Sequence, residues 1–176
     1  MYQYKIVDQV TRKPKAMSGF LRIIMIIFGV IFVLMGIAIS RGFMLPGFLI
    51  VLLYFVFDVF SRKEYEYVLE GTSLSIDIIY GKRYRKEAHR LELKDVEVVA
   101  PHWHDSVAKY KKKGGTEKLP KYDYTSYDDE IPYYTMIVIE DHKKIKLLLD
   151  LKEEMLRAMK TLYPEKIFVE YAQKEM

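Results

Sequence analysis

Two uninterrupted apolar runs, 23–39 and 42–57, stand near the start of the chain with only Ser40 and Arg41 between them. Neither contains a charged residue. A helix that is apolar all round needs an apolar solvent, so the pattern predicts two membrane helices joined by a tight turn. At about 1.5 Å per residue, both runs fall slightly short of a hydrocarbon core about 30 Å thick. The first is expected to extend back over 17–21 with Arg22 snorkelling to the headgroups, and the second past Asp58 to Val59 and Phe60. Pro46 falls in the first turn of the second helix, where a missing N–H costs little. Gly29 and Gly36 share a helix face, and Gly36 with Ser40 makes a small-xxx-small pair, so the two helices are expected to pack on each other there, with oligomerisation through the seam as the alternative. A secretory signal would show one shorter apolar core and a cleavage site, and this chain has no such site between its two runs.

After Arg62 and Lys63 the period drops to two. Tyr65, Tyr67 and Leu69 share one face, with Glu64, Glu66 and Glu70 on the other; beyond Gly71 and Thr72, Leu74, Ile76, Ile78 and Tyr80 again line one face. Two alternating runs about a glycine-containing turn predict an antiparallel hairpin. A third run over 89–93 alternates through Leu91 and Leu93. Val96 and Val98 then take the opposite parity, which predicts a bulge or corner at Lys94 and Asp95, and Pro101 closes a fourth run. Residues 102–132 carry no clear apolar period and predict a long loop or excursion, part of it an edge strand. Residues 133–140, apolar on both faces, read as a central strand, and 145–149 as its neighbour. The period then becomes helical: Asp150 is expected to cap a helix, with Glu153 as its capping-box partner. Leu151, Met155, Leu156, Met159 and Leu162 form its apolar stripe, and Pro164 stops it. Residues 167–171 form a short apolar tail, expected to pack back on the surface near the anchor.

The expected fold is thus a membrane α-helical hairpin followed by an α+β, mainly β, soluble domain: a curled antiparallel sheet of six or seven strands with one C-terminal amphipathic helix over its open end. That is a pleckstrin-homology-like (PH-like) layout. The expected divisions are a basic N-terminal segment at 1–19, the helical hairpin at 20–60, and the β-rich domain at 61–176 with its long loop at 102–132.

Charge orients this arrangement. The net charge of +4 lies entirely in residues 1–22, whereas residues 61–176 hold 22 basic and 22 acidic side chains. Arg41 is alone in the connection between the apolar runs, and basic flanks stay on the cytoplasmic side, so a multi-pass cell-membrane protein with both termini cytoplasmic is expected. Asp58 is the one acidic residue within the apolar pattern; an interfacial position is expected, with a role in transport as the alternative.

The domain pattern, Glu64-Tyr-Glu-Tyr-Val-Leu, Leu74-Ser-Ile-Asp and Arg90-Leu-Glu-Leu-Lys-Asp-Val-Glu-Val-Val, resembles that of the membrane-anchored bacterial PH-like domain proteins. More narrowly, the chain is similar to a family of two-transmembrane-helix membrane proteins of Gram-positive bacteria. The resemblance implies a topology and carries over no functional residues; the long 102–132 segment departs from a minimal PH-like pattern.

Chemistry is sparse. The chain has no cysteine, which excludes disulfides, thiol nucleophiles and thiolate metal sites. It has no glycine-rich phosphate loop, nucleophile elbow or metal-binding His–Glu helix motif, so neither catalysis nor a cofactor is expected. His102 and His104, flanking Trp103 and followed by Asp105, have the spacing of two ligands in a strand but lack a third, which favours a solvated loop anchored by Trp103 over a metal site. Two basic clusters are candidates for lipid contact: Lys82, Arg83, Arg85 and Lys86, with Arg90 nearby, and Lys111, Lys112 and Lys113, with Lys109 and Tyr110. The competing reading is two solvated loops neutralised by Asp123, Asp128, Asp129 and Glu130.

The function these features suggest is a membrane-tethered protein-interaction module. Binding of anionic lipid headgroups by the basic loops is the alternative from a second class, and an accessory subunit or small transporter is a third. The expected partners are the bilayer, another membrane or cytoplasmic protein and a second copy of the chain, with nucleic acid excluded by the neutral domain.

Overall fold

The alternating runs fold into two four-stranded sheets. β1 (Lys5–Thr11), β2 (Lys63–Glu70), β3 (Ser73–Tyr80) and β4 (Tyr84–Glu92) lie in chain order in the first. β5 (Val96–Pro101), β6 (Lys121–Asp123), β7 (Tyr134–Glu140) and β8 (Lys143–Leu149) form the second, in the order β5-β7-β8-β6. Among the described residues there are also three α-helices: α1 (Ala16–Ala38), α2 (Met44–Ser61) and α3 (Glu153–Leu162). This computed structural model describes residues 5–14, 16–111 and 114–169. They divide into two compact units, one from the described residues of 5–12, 65–78 and 86–169, the other from those of 13–64 and 79–85.

The first unit holds the core. Tyr67, Leu74, Ile76, Met136, Leu147 and Leu149 from the two sheets pack with Met155, Leu156 and Met159 of α3, all of them buried. The expected corner is real: residues 93–95 form a 3-10 turn between the last strand of one sheet and the first strand of the other. β7 is buried on both faces from Tyr134 to Val138, as a central strand must be. Asp141 and His142, both at positive φ (47° and 60°), form the two-residue turn to β8, with Glu140 paired to Lys143.

Several expectations are corrected. The described residues form eight strands in two sheets, not six or seven in one curled sheet, and β6 runs parallel to β8. β1 is the strand the alternating pattern failed to announce. Ile6, Asp8 and Val10 point inward, and a buried aspartate at the middle position masks the apolar period. β1 and β2 are neighbours in the sheet although both long helices lie between them in the chain. Asp150 does not cap α3: the N-cap is Lys152, without a side-chain bond of its own. Its N–H donates instead to Asp8 Oδ2 (3.2 Å), and its ammonium pairs with Asp8 Oδ1 (2.9 Å), so a strand far away in sequence puts the carboxylate at the positive end of the helix. Leu162 leaves the stripe and is exposed. Of the tail, Ile167 packs into the core of this unit and bridges Val99, and Phe168 N donates to Val99 O (2.8 Å); residues 170 and 171 lie outside the described residues.

The 102–132 segment is more ordered in pattern than its composition suggests. Residues 105–110 form a 3-10 helix, and Val107 and Tyr110, three apart, are buried with Val98, Ala100 and Ile137 in a second apolar cluster. Lys146, also buried, donates to Tyr110 O (2.5 Å) and holds the end of that helix; burial lowers its pKa, as does nearby Lys121.

The second unit is built on α1 and α2. Close approach occurs where the seam is small: a Cβ at Gly47 would lie 3.4 Å from Phe32 and Val33, and one at Gly36 2.5 Å from Met44. The small residues thus serve packing of the pair on itself. Both helices are long and apolar enough to cross a membrane, and only 11% and 6% of the residues in their apolar windows are buried, which a core helix of a globular protein would not tolerate. Asp58 pairs with Arg22 (3.1 Å) and with Arg62 (3.2 Å), and Arg22 also donates to Ser61 Oγ (2.7 Å).

Candidate functional site

The basic residues singled out above are sorted into different surroundings. Gly81 and Lys82 take positive φ (55° and 64°) in the β3–β4 turn, and Gly81 N donates to Arg62 O (3.0 Å). A Cβ on Gly81 would come within 2.9 Å of Val59 Cγ1, so the turn can lie this close to the end of α2 only with glycine there. Lys82 and Arg83 therefore sit beside Arg62 and Lys63, with Arg85 just along β4. Aromatic rings interleave them: Phe60 meets Tyr80 at 5.5 Å, Tyr80 meets Tyr84 at 6.1 Å, and the Lys63 ammonium lies 5.5 Å from the Tyr80 ring. The result is a basic and aromatic collar at one end of the two apolar helices. Lys86 is exposed on β4 in the other unit, and Arg90 pairs with Glu87 (2.5 Å).

Only part of the second basic cluster lies among the described residues. Lys109 is taken up by Glu97 (3.4 Å), which also pairs with Lys144 (2.6 Å) and accepts from the Tyr110 hydroxyl (2.7 Å). The Lys144 hydrogen bond, with help from Tyr110 and Lys109 and against a smaller effect of burial, holds the Glu97 carboxyl below its ordinary range. Lys111 is exposed at the end of the 105–110 helix; Lys112 and Lys113 lie outside the described residues. Among the described residues of this cluster, Lys109 pairs with Glu97, while Glu117 lies beside Lys144 (4.0 Å).

Asp123, Asp128, Asp129 and Glu130 gather around a recess of about 440 Å³ in the first unit, together with Asp150. Its walls are aromatic: His102 stacks on Tyr133 (4.2 Å, 15° between planes), and Trp103 meets His102 edge-on (4.7 Å). Trp103 is thus no buried anchor of the loop; it is 44% exposed, and Val107 and Tyr110 do the anchoring. The two histidines take separate tasks, since His104 Nδ1 accepts from Ser106 N (3.1 Å) to cap the 3-10 helix.

The carboxylates of the recess are unequal. Asp123 is engaged by Lys121 (3.1 Å) and Arg12 (3.2 Å), while Arg12 also donates to the Asp123 and Thr125 carbonyls and lies over the Tyr127 ring (4.2 Å). Burial pushes the Asp123 carboxyl up, but hydrogen bonds from Thr125 and Lys121 outweigh it and leave it below the ordinary range. Asp150 is only 4% exposed; its Oδ2 accepts from Ser126 N (2.7 Å), and its Oδ1 is buried with no partner. Burial pushes this carboxyl above its ordinary range, with Ser126 opposing in part. Beneath it, the Tyr67 hydroxyl donates to Tyr124 O (2.6 Å), and burial drives its pKa far up. His102 Nδ1 is a second buried atom without a partner on the same recess.

From sequence, Asp150 reads as a helix cap, Asp123, Asp128, Asp129 and Glu130 as neutralising charges, and His102 as half of a candidate metal pair. Only the acidic run at 128–130 beside exposed aromatics could have flagged the recess. Residues 7–169 match the family described as "Bacterial PH-like domain (DUF6106)". No curated protein and no solved structure matches the chain.

Proposed function

Because the chain belongs to the bacterial PH-like domain family, we propose that it is a membrane-tethered protein-interaction module. In this reading α1 and α2 cross the bilayer, and the PH-like domain presents its recess to a partner on the cytoplasmic side. The observation that carries it is that most large apolar side chains in α1 and α2 are exposed and none is buried, in a chain whose other unit buries a large apolar core. α1, with 23 residues, spans about 34 Å at 1.5 Å per residue, enough for the core. Arg22, Arg62, Lys63, Lys82, Arg83 and Arg85 at one end, against Arg41 at the other, favour a cytoplasmic position for the collar and the termini. The ion pairs of Asp58 favour a structural part for it over transport. The test is extraction and protease access. The full chain should stay with membranes through alkaline washing and resist protease added outside intact cells; release into buffer, or digestion from outside, overturns the reading.

The collar supports a second reading, headgroup contact by Lys82, Arg83 and Arg85, at about 1 kcal/mol for each base near an anionic surface. The full chain in nanodiscs should melt higher with anionic than with zwitterionic lipid, and the triple alanine variant should lose most of that difference. An equal shift in the variant removes the collar from lipid recognition.

A further inference from the structure

We propose that the recess beside Trp103 holds the ammonium or guanidinium group of a basic side chain on a partner protein. This rests on the interaction-module reading and names the chemistry that the module recognises. A buried carboxylate oxygen without a donor is costly, and Asp150, one of the residues lining the recess, has such an atom in Oδ1. The neighbouring cations do not satisfy it: Lys121 and Arg12 are engaged by Asp123. With Asp150 Oδ2 taken by Ser126 N, one oxygen is left for one incoming N–H. His102 Nδ1, also unpartnered, is a second acceptor in the neutral tautomer protonated at Nε2. Exposed Asp129 and Glu130 on the rim add negative potential. Trp103 presents the ring type that attracts cations best, and it is exposed. Five carboxylates against one lysine in the lining disfavour an anion, and the described residues hold no group of three or more His, Asp or Glu able to hold a metal ion.

The chain has a single tryptophan, so intrinsic tryptophan emission reports on the recess directly. Full-length protein in nanodiscs is titrated with N-acetyl-arginine methylamide, N-acetyl-lysine methylamide, the uncharged citrulline analogue and free agmatine. A saturable change with at least one charged blocked amino acid and none with citrulline is expected. Asp150→Asn keeps an oxygen for Ser126 N but turns an N–H towards the cation, and should weaken binding about tenfold or more. The exposed pair D129N/E130Q, which has no fold to disturb, should weaken it several-fold. No saturable response, an equal response to citrulline, or unchanged affinity in both variants overturns the proposal, and tighter binding of agmatine than of either blocked amino acid overturns its assignment to a protein side chain. Membrane extraction of Asp150→Asn, run in parallel, separates failure of the recess from failure of the tether.

Discussion

Leu147, in β8, is fully buried among side chains of its own chain, whereas Leu52, in α2, is 60% exposed, and Leu49 and Phe55 on the same helix are each more than half exposed. The carboxylates of the two units reverse that contrast. Asp58, in the unit with the bare apolar surface, pairs with two arginines, while Asp150, in the unit with the packed core, has one buried oxygen without a partner. The pairing makes physical sense if the two units face different solvents. A charge beside lipid must be neutralised within the protein, because nothing outside will do it. A charge in a domain facing water can be kept in reserve, at a cost in stability, for something that arrives later.

The sharpest way to break the comparison is to truncate both leucines. Leu147→Ala should cost about 2–5 kcal/mol in denaturant unfolding of the full chain, while Leu52→Ala in a bilayer-like environment should cost well under about 1 kcal/mol. Equal losses would mean that α2 is packed against protein after all. Asp58→Asn comes next: it leaves Arg22 without its counter-ion, and helix melting in nanodiscs should reveal a loss of about 1–2 kcal/mol. Unchanged stability would show that the pair is ornamental. Gly81→Ala should cost about 1–2 kcal/mol, since alanine at φ +55° is strained and its methyl group meets Val59.

The smallest effects are pH-dependent and opposite in sign. Glu97 has a folded pKa below its ordinary 4.5, so its stabilisation is complete above that value and is lost as pH falls towards the lowered one. Glu97→Gln should therefore flatten the acid limb of a melting-temperature profile. Asp150 has a folded pKa above its ordinary 3.8, so the folded state binds the extra proton between the two values and gains stability as pH falls through that window. Asp150→Asn should remove that gain and make acid more damaging. A profile tilted the same way by both variants would contradict the assigned shifts.

Much of the fold could be read locally. The β2–β3 hairpin, the corner at 93–95, the central strand β7 and the stripe of α3 each depend on a period within a few residues, and period is what a sequence displays. β1 was hidden because Asp8 takes an inward position where Lys152, distant in sequence, pairs with it. The recess was hidden for the same reason on a larger scale. His102 and Trp103, the 123–133 stretch and Asp150 come together only after β6 has laid itself along β8, and parallel pairing between segments leaves no local trace.

The adjacency of β1 and β2 has a practical consequence. The helices are looped out between two hydrogen-bonded neighbours of one sheet, so the domain is leashed by two strands of chain. A single cut in either connector would leave it attached. A fragment starting at residue 61 would discard an edge strand along with Asp8, the carboxylate at the start of α3. Freeing an intact domain requires excising the helices and joining Thr11 to Lys63 through a linker that lets both strands keep their places in the sheet.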